Sequence, residues 1–468
     1  MNTATGHITA PGSSAGGWIA RLGLAMRRHR NAIIALQWLV VVSYLTLVAV
    51  PAFLPLPPDR AHIWNNLTRL AQFMFWGIWW PFVILSIMVM GRVWCGVLCP
   101  EGALTEWVSR FGLGRGIPRW MKWGGWPFVA FVMTTVFGQM TSVYEYPKPA
   151  LLILGGSTIA AIAVGLVWGR EKRVWCKHLC PVSGVFGLLA KIAPVHFKVD
   201  QTAWDAAPAG HRTSSLNAVN CAPLINIRRM ESASDCHSCG RCAGERNAVQ
   251  LSLRSPNAEI IGKPGALEVK PEKMNDWSAR LLVFGMLGVA LGAFQWSASP
   301  WLVTVKQSVA GWLVDHEVWW ALNEAGHWWL LTYYPDSNDV FTWLDGGLLL
   351  AYIAAEALVI GGWIWAWLKL TGVLTGLSWQ RLSQTLIPLG GVSVFVGLSQ
   401  LTTAQLSGER VIVPWANDAR MTLLVLAALW SASLAWRLAK RNGAAGALGI
   451  LVAAAFPLAA WATQFFVW

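Results

Sequence analysis

Apolar runs close to twenty residues long recur along this chain, near 32–54, 70–90, 125–143, 150–168, 281–299, 346–368, 384–403, 420–438 and 444–467. Each is long enough to cross a hydrocarbon layer of about 30 Å as a helix. Between the fourth and the fifth lies a long polar stretch, 195–276. The pattern predicts an all-α integral membrane protein with about nine transmembrane helices. It divides the chain into an N-terminal tail (1–31), a membrane unit (32–194), the polar segment (195–276) and a C-terminal membrane domain (277–468) with an expected outer loop at 301–345. Residues 1–17 are small and polar and are expected to be disordered. Arg21 to Arg30 reads as a basic flank, and the apolar run behind it is too long for a signal-peptide core.

Composition agrees with the pattern: 55% of residues are hydrophobic and 13% are charged. Tryptophan is abundant (32 residues) and bunches at run ends, as at Trp76, Trp79 and Trp80, where interfacial belts form. With the N-terminus inside, the inside segments hold 30 of the 36 Lys and Arg. Leaving out the long 169–280 segment, which weighs little in a short-loop rule, the split is still 14 to 6. The net charge of +13 therefore reads as positive-inside topology, and the expected setting is a bacterial inner membrane. There is no basic stripe with stacking aromatics, so nucleic acid is not an expected partner; the lipid bilayer is.

The chemistry lies in eight cysteines. Cys236-His-Ser-Cys239-Gly-Arg-Cys242 has the C-x2-C-x2-C spacing with which bacterial ferredoxins supply three ligands of a [4Fe–4S] cluster. The fourth ligand of that pattern is missing, since Ala243, Gly244, Glu245 and Arg246 follow. Cys221 lies upstream. Two further pairs share one motif: Arg-Val-Trp-Cys95-Gly-Val-Leu-Cys99-Pro100 and Arg-Val-Trp-Cys176-Lys-His-Leu-Cys180-Pro181. Each follows an apolar hairpin and precedes an apolar stretch, so the unit is an internal repeat. Both copies fall on the inside in the charge-derived topology. Four ligands per cluster gives two clusters, one from Cys95, Cys99, Cys176 and Cys180, the other from Cys221, Cys236, Cys239 and Cys242. A swapped arrangement, with Cys99 or Cys180 completing the triplet's site, is open. Disulfides are disfavoured on the reducing side of a membrane. Structural zinc is an alternative for paired thiolates.

These motifs resemble the membrane polyferredoxin family over about residues 70–250. That family includes the membrane ferredoxin of periplasmic nitrate reduction, the support protein of nitrous oxide reductase, the copper-reducing assembly factor of cytochrome oxidases and polyferredoxin-like subunits of ferrous-iron uptake systems. The resemblance implies a small cytoplasmic ferredoxin-like segment and an electron-transfer role in metal handling or respiration. Partners would be periplasmic redox or metal-binding proteins and a membrane permease or reductase. A quinone is a further cofactor to consider. Many members carry two complete cysteine motifs where this chain has one truncated motif, and the four C-terminal runs lie outside the resemblance.

Two other features are candidates. His316 and His327, eleven residues apart, would share a face if helical, and with Glu324 could bind copper or iron; an amphipathic surface helix explains the same pattern. Glu356 lies in the sixth apolar run, where a charge is costly and defaults to a functional hypothesis; Gln295 or Gln400 are the expected partners of a merely structural carboxyl. The competing function classes are an ion transporter that uses Glu356 with clusters as sensors, and a zinc-stabilised assembly factor. No hydrolase or phosphate-loop motif is present to argue for a stand-alone enzyme.

Overall fold

The computed structural model describes residues 17–58, 60–207, 219–230, 232–262 and 276–468. It is built of helices, as an apolar chain in lipid must be, because a helix satisfies its own backbone polar groups. Helix α1 (Trp18–Arg28) leads into α2 (Arg30–Ala52). Next come α3 (Leu67–Met90), the short α4 (Pro100–Val108), α5 (Trp126–Met140) and α6 (Pro147–Trp168). Helix α7 (Ser183–Ile192) precedes the polar segment. After it follow α8 (Asp276–Ala298), α9 (Pro300–Asp315), α10 (Trp343–Thr375) and α11 (Trp379–Gly408). The stretch Ala416–Phe466 doubles back at Lys440–Asn442 into α12 (Ala416–Ala439) and α13 (Gly443–Phe466). Among the described residues seven stretches are long and apolar enough to cross a membrane. Helices occupy every apolar run, but α5 has only 15 residues, about 22 Å of rise.

Helix ends are set locally. The Asn66 side chain accepts from the backbone N–H groups of Thr68 and Arg69 at the start of α3. Thr342 and Asp345 exchange side-chain and backbone bonds in a capping box that starts α10. Gly376, at φ 72°, ends it in the left-handed region.

Helix α8 is the axis of the molecule, with Leu282, Val283, Met286 and Leu287 fully buried. At its crossing with α10, a Cβ on Gly288 would lie 2.9 Å from the Cα of Ala357, so only glycine permits that approach. Helix α8 also packs on α5, α7 and α11, joining the repeat-bearing half to the C-terminal half.

The polar segment has its own small core. Strands β1 (Val195–Val199) and β2 (Val249–Leu253) pair antiparallel, from Val195↔Leu253 to Val199↔Val249. Phe197, Ile227, Ala243, Val249 and Leu251 cluster beneath them, with Cys221, Cys236 and Cys242 packed against that cluster. Residues 18–28, read from sequence as part of a tail, form α1, which lies across β2. Gly23 is so close that a Cβ there would meet Leu251 Cβ at 2.8 Å. The N-terminus thus helps to build the fold of a segment some 200 residues later. The expected disorder of residues 1–17 falls, except for Gly17, outside the described residues.

Residues 301–345 hold α9 and a hairpin of β3 (Tyr333–Tyr334) and β4 (Asp339–Val340). They sit at the end of the bundle where α5 finishes and α6 begins. The Thr332 N–H donates to the Met140 carbonyl at 2.9 Å, and the Tyr146 hydroxyl donates to Asp339 at 2.8 Å. Helices α3 and α6 run from that end to the cysteine motifs, so the loop and the cysteines lie at opposite ends of the bundle.

Candidate iron–sulfur centres

Each C-x3-C motif follows a membrane helix and closes with the same backbone device. The N–H of the second cysteine reaches back five residues to a tryptophan carbonyl: Cys99 to Trp94 at 2.8 Å, Cys180 to Trp175 at 3.0 Å. This widened turn brings the two sulfur-bearing residues of each motif to one side, ahead of the proline that can no longer continue the ladder. The motifs meet. Cys95, Cys99, Cys176 and Cys180 all line one cavity of about 250 Å³, walled by Trp79, Trp80 and other apolar groups.

The triplet is shaped by left-handed residues. Ser238 has φ 48° and Gly240 φ 75°, and a Cβ on Gly240 would come within 2.6 Å of Met26 on α1. Cys221 lies in the electrostatic field of Cys239, and Cys236 and Cys242 in turn lie in that of Cys221. Cys95, Cys99, Cys176 and Cys180 thus share one cavity, and Cys221, Cys236 and Cys242 pack on one small core with Cys239 between them in sequence. The places touch through backbone: a Cβ on Gly96 would overlap the His237 carbonyl and lie 2.9 Å from the Cys239 nitrogen.

Burial pushes most of these thiols upward. Cys176 and Cys236 are each raised to about 12, and Cys99, Cys180, Cys221 and Cys242 also lie above the ordinary thiol value. Buried thiols stay protonated until something cationic replaces the proton, as metal ligation does. Backbone donors already point at sulfur: Gly102 N–H to Cys99 Sγ at 3.3 Å and Ser238 N–H to Cys236 Sγ at 3.4 Å. Cationic compensation comes from two buried arginines at equivalent repeat positions. Arg92 donates to the Ser234 carbonyl at 2.7 Å and to Ser183 Oγ at 3.1 Å, and its charge faces Cys95 and Cys180. Arg173 donates to Glu106 at 2.8 Å and to the Cys95 carbonyl, and faces Cys176 and Cys239, one residue from each group. Burial would raise Glu106, but Arg173 and Arg241 outweigh it and hold the carboxyl below its usual range. None of Arg92, Arg173 or Glu106 was singled out as a partner of another residue from the sequence. The signal was there, an arginine three positions before the first cysteine in both copies.

Eight thiols in two sets, backbone donors to sulfur and buried cations fit iron–sulfur clusters. Among the described residues no three His, Cys, Asp or Glu side chains form a group able to hold a single ion.

The remaining candidates are not brought together. Helix α9 ends at Asp315, so His316 and His327 do not share a helix face. The expectation failed because a turn follows α9 directly, with Glu317 at φ 58°. His316 stacks on Trp312, His327 stacks on Trp329, and Glu324 bridges to Thr342. Glu356 is half-buried on α10 against Gly292, with Tyr352 as its hydrogen-bonding neighbour. Gln295 instead donates to the Ala460 carbonyl at 2.9 Å, and Gln400 accepts from Gln464 at 3.0 Å, so the two expected amides are engaged elsewhere.

A family described as a 4Fe-4S binding domain matches twice, over residues 72–118 and 151–200, which are the two repeat copies. YccM of Escherichia coli, named for electron transport, is 23% identical over 252 residues, covering 49% of this chain and 67% of its own length. The methylamine utilization ferredoxin-type protein MauN of Paracoccus denitrificans is 26% identical over 127 residues, 24% of this chain and 44% of that protein. The ferredoxin-type protein NapH of Haemophilus influenzae is 26% identical over 178 residues, 34% of this chain and 61% of that protein. This chain is similar to ferredoxin-type membrane proteins. The resemblance seen in its motifs holds: the chain carries matches to a 4Fe-4S binding domain, has seven helical stretches able to cross a membrane among the described residues, and is similar to proteins named for electron transport. The matched stretches span less than two thirds of MauN and NapH. No solved structure matches.

Proposed function

We propose that this protein relays electrons through two [4Fe–4S] clusters, one held by Cys95, Cys99, Cys176 and Cys180, the other by Cys221, Cys236, Cys239 and Cys242. The observation that carries the reading is the gathering of two sets of four cysteines, in backbone contact at Gly96 and Cys239, at one end of the bundle. When bound, each cluster supplies a site that gains and loses one electron without rearrangement. The chain's own residues do the rest. Burial at Trp94, Cys95, Trp175 and Cys176 keeps water from the sulfurs. N–H donors at Gly102 and Ser238 and the charges of Arg92 and Arg173 favour the more negative, reduced state and so raise the potential. Arg173, facing both sets, ties their electrostatics together.

In this reading the polytopic chain crosses a bacterial inner membrane nine times, with its N-terminus, both motifs and residues 195–276 cytoplasmic and 301–345 periplasmic. Electrons enter from a cytoplasmic or quinone donor and leave toward a periplasmic partner in iron or copper handling or respiration. A quinone can approach the membrane-side set through the cavity, whose wall includes Tyr144 and the buried Trp80 Nε1, a donor without a partner among the described residues. Tyr144 also lines a second cavity of about 560 Å³ toward the periplasmic end, beside Glu145 and Asp339.

Anaerobic purification with iron and sulfide counting, followed by EPR of the reduced protein, tests the proposal. Eight irons and eight sulfides per chain with a reducible signal are expected. Stoichiometric zinc, or a protein with no reducible signal, would overturn it.

A further inference from the structure

The triplet side of the cysteine assembly opens to solvent through a cavity of about 680 Å³, and Cys239 forms part of its wall. Arg27, Arg30, Arg110 and Arg241 also line it. Its two carboxylates are already engaged. Glu106 is bound by Arg173 and Arg241, and Glu171 accepts from Asn220 at 2.9 Å. Arg27 donates to the Ala243 carbonyl at 2.7 Å. Arg30 and Arg110 are exposed and, among the described residues, have neither an acid within ion-pair reach nor a hydrogen-bond partner. They come from different elements, the start of α2 and the turn after α4, and face the same space.

We propose that this cavity is the docking port for the electron donor, and that the donor is an acidic, soluble one-electron carrier of the [2Fe–2S] ferredoxin kind. The inference rests on the relay reading and adds the place and chemistry of its cytoplasmic partner. Positive-inside topology alone explains arginines at this end of the bundle, but not why unpaired ones ring a cavity with a cluster cysteine in its wall. An acidic carrier seated there brings its centre against the Cys239 site, and complementary charge speeds the encounter. The chemistry balances: the carrier's iron–sulfur centre loses one electron, the centre ligated by Cys239 gains it, and no bond breaks and no proton moves.

The test uses the full chain in nanodiscs of zwitterionic lipid and a plant-type [2Fe–2S] ferredoxin as probe. Binding of oxidised ferredoxin is measured by interferometry across a salt series, and reduction of the chain by stopped flow with reduced ferredoxin or with methyl viologen radical cation. Arg30→Glu/Arg110→Glu should slow ferredoxin association by roughly tenfold at low salt. The same variant should flatten the salt dependence and leave reduction by viologen intact. Arg30→Lys/Arg110→Lys keeps the charges and should bind ferredoxin as the wild type does. Unchanged ferredoxin binding by the charge-reversed variant overturns the port. So does a result in which reversal strips co-purifying anionic phospholipid while ferredoxin binding stays the same, since the arginines would then be headgroup anchors. Wild-type protein that viologen cannot reduce sinks the relay reading instead, a result the binding arm keeps separate.

Discussion

The two copies of the repeat share a backbone and differ in what they offer each other. In both, the arginine three residues before the first cysteine is buried and reaches across to the other copy: Arg92 to Ser183, Arg173 to Glu106 and the Cys95 carbonyl. The offset of 81 residues that aligns Cys95 with Cys176 sets Glu101 and Glu106 of the first copy against Val182 and Gly187 of the second. The first copy therefore carries carboxylates where the second carries an apolar or missing side chain. Glu106 binds Arg173 and also Arg241 of the polar segment, whereas Gly187 leaves room for the chain at Ser234 to pass 3.4 Å from where its Cβ would be. One copy clamps the polar segment by charge, and the other accommodates it by shape. A duplicated unit needs this division, because a single three-cysteine segment must dock against both copies.

The largest test of the comparison removes a ligand from each place. Cys176→Ser should leave about half the iron and abolish the membrane-side signal, while Cys236→Ser should remove the other half and loosen residues 195–262, because metal binding there is coupled to folding. Iron content, EPR and limited proteolysis read both. Loss of all iron in either variant would mean that the sets are not independent, as in the swapped ligand arrangement.

Next in size is Glu106→Gln. It leaves Arg173 buried without its anion, and breaking a buried pair in this way costs roughly 3–5 kcal/mol. Arg92→Met should cost less, since Arg92 donates to the Ser234 carbonyl and Ser183 Oγ and makes no close ion pair among the described residues. Thermal unfolding in detergent compares them. The pH dependence follows from the depressed carboxyl. Its contribution is present above the unfolded-state value of about 4.3 and is lost as pH falls through the lower folded value. Wild type should lose Tm in that acid window, and Glu106→Gln should not show that component.

Gly96→Ala probes the seam between the sets. Its methyl would overlap the His237 carbonyl, so the backbones must part. Weaker magnetic coupling between the two reduced centres in EPR is expected, with each centre still assembled. Unchanged coupling would mean that the seam does not set their separation.

The smallest effects belong to the other half of the chain. His316→Ala should change stability by no more than about 0.5 kcal/mol and leave metal content unchanged, because His316 is exposed and bonded to the Trp312 carbonyl. Glu356→Gln should leave cluster reduction intact. If it stopped uptake of labelled iron or copper while Cys239→Ser did not, the relay would give way to a transporter.

Much of this was legible in the residues. Apolar runs predicted where helices form, since a run of twenty such residues has no other way to satisfy its backbone in lipid. The duplicated Arg-Val-Trp-Cys motif announced a repeat, and cysteine spacing announced the ligand chemistry. The C-x2-C-x2-C run is local, and its neighbours in sequence are its neighbours in space. His316 and His327 misled because helical periodicity was extended beyond Asp315, where the backbone turns.

What the sequence determined by itself is the kind and order of parts: apolar spans, two motif copies and eight cysteines in spaced sets. Tertiary structure decided the pairings. That Cys95 and Cys176 line the same cavity, that Glu106 answers Arg173 and Arg241, and that α1 lies across β2 all join residues tens to hundreds apart. No local period encodes such contacts. They depend on how α8 sets the two halves against each other and on close approaches at Gly23 and Gly96, where the absence of a side chain becomes informative only once the opposing backbone is in place.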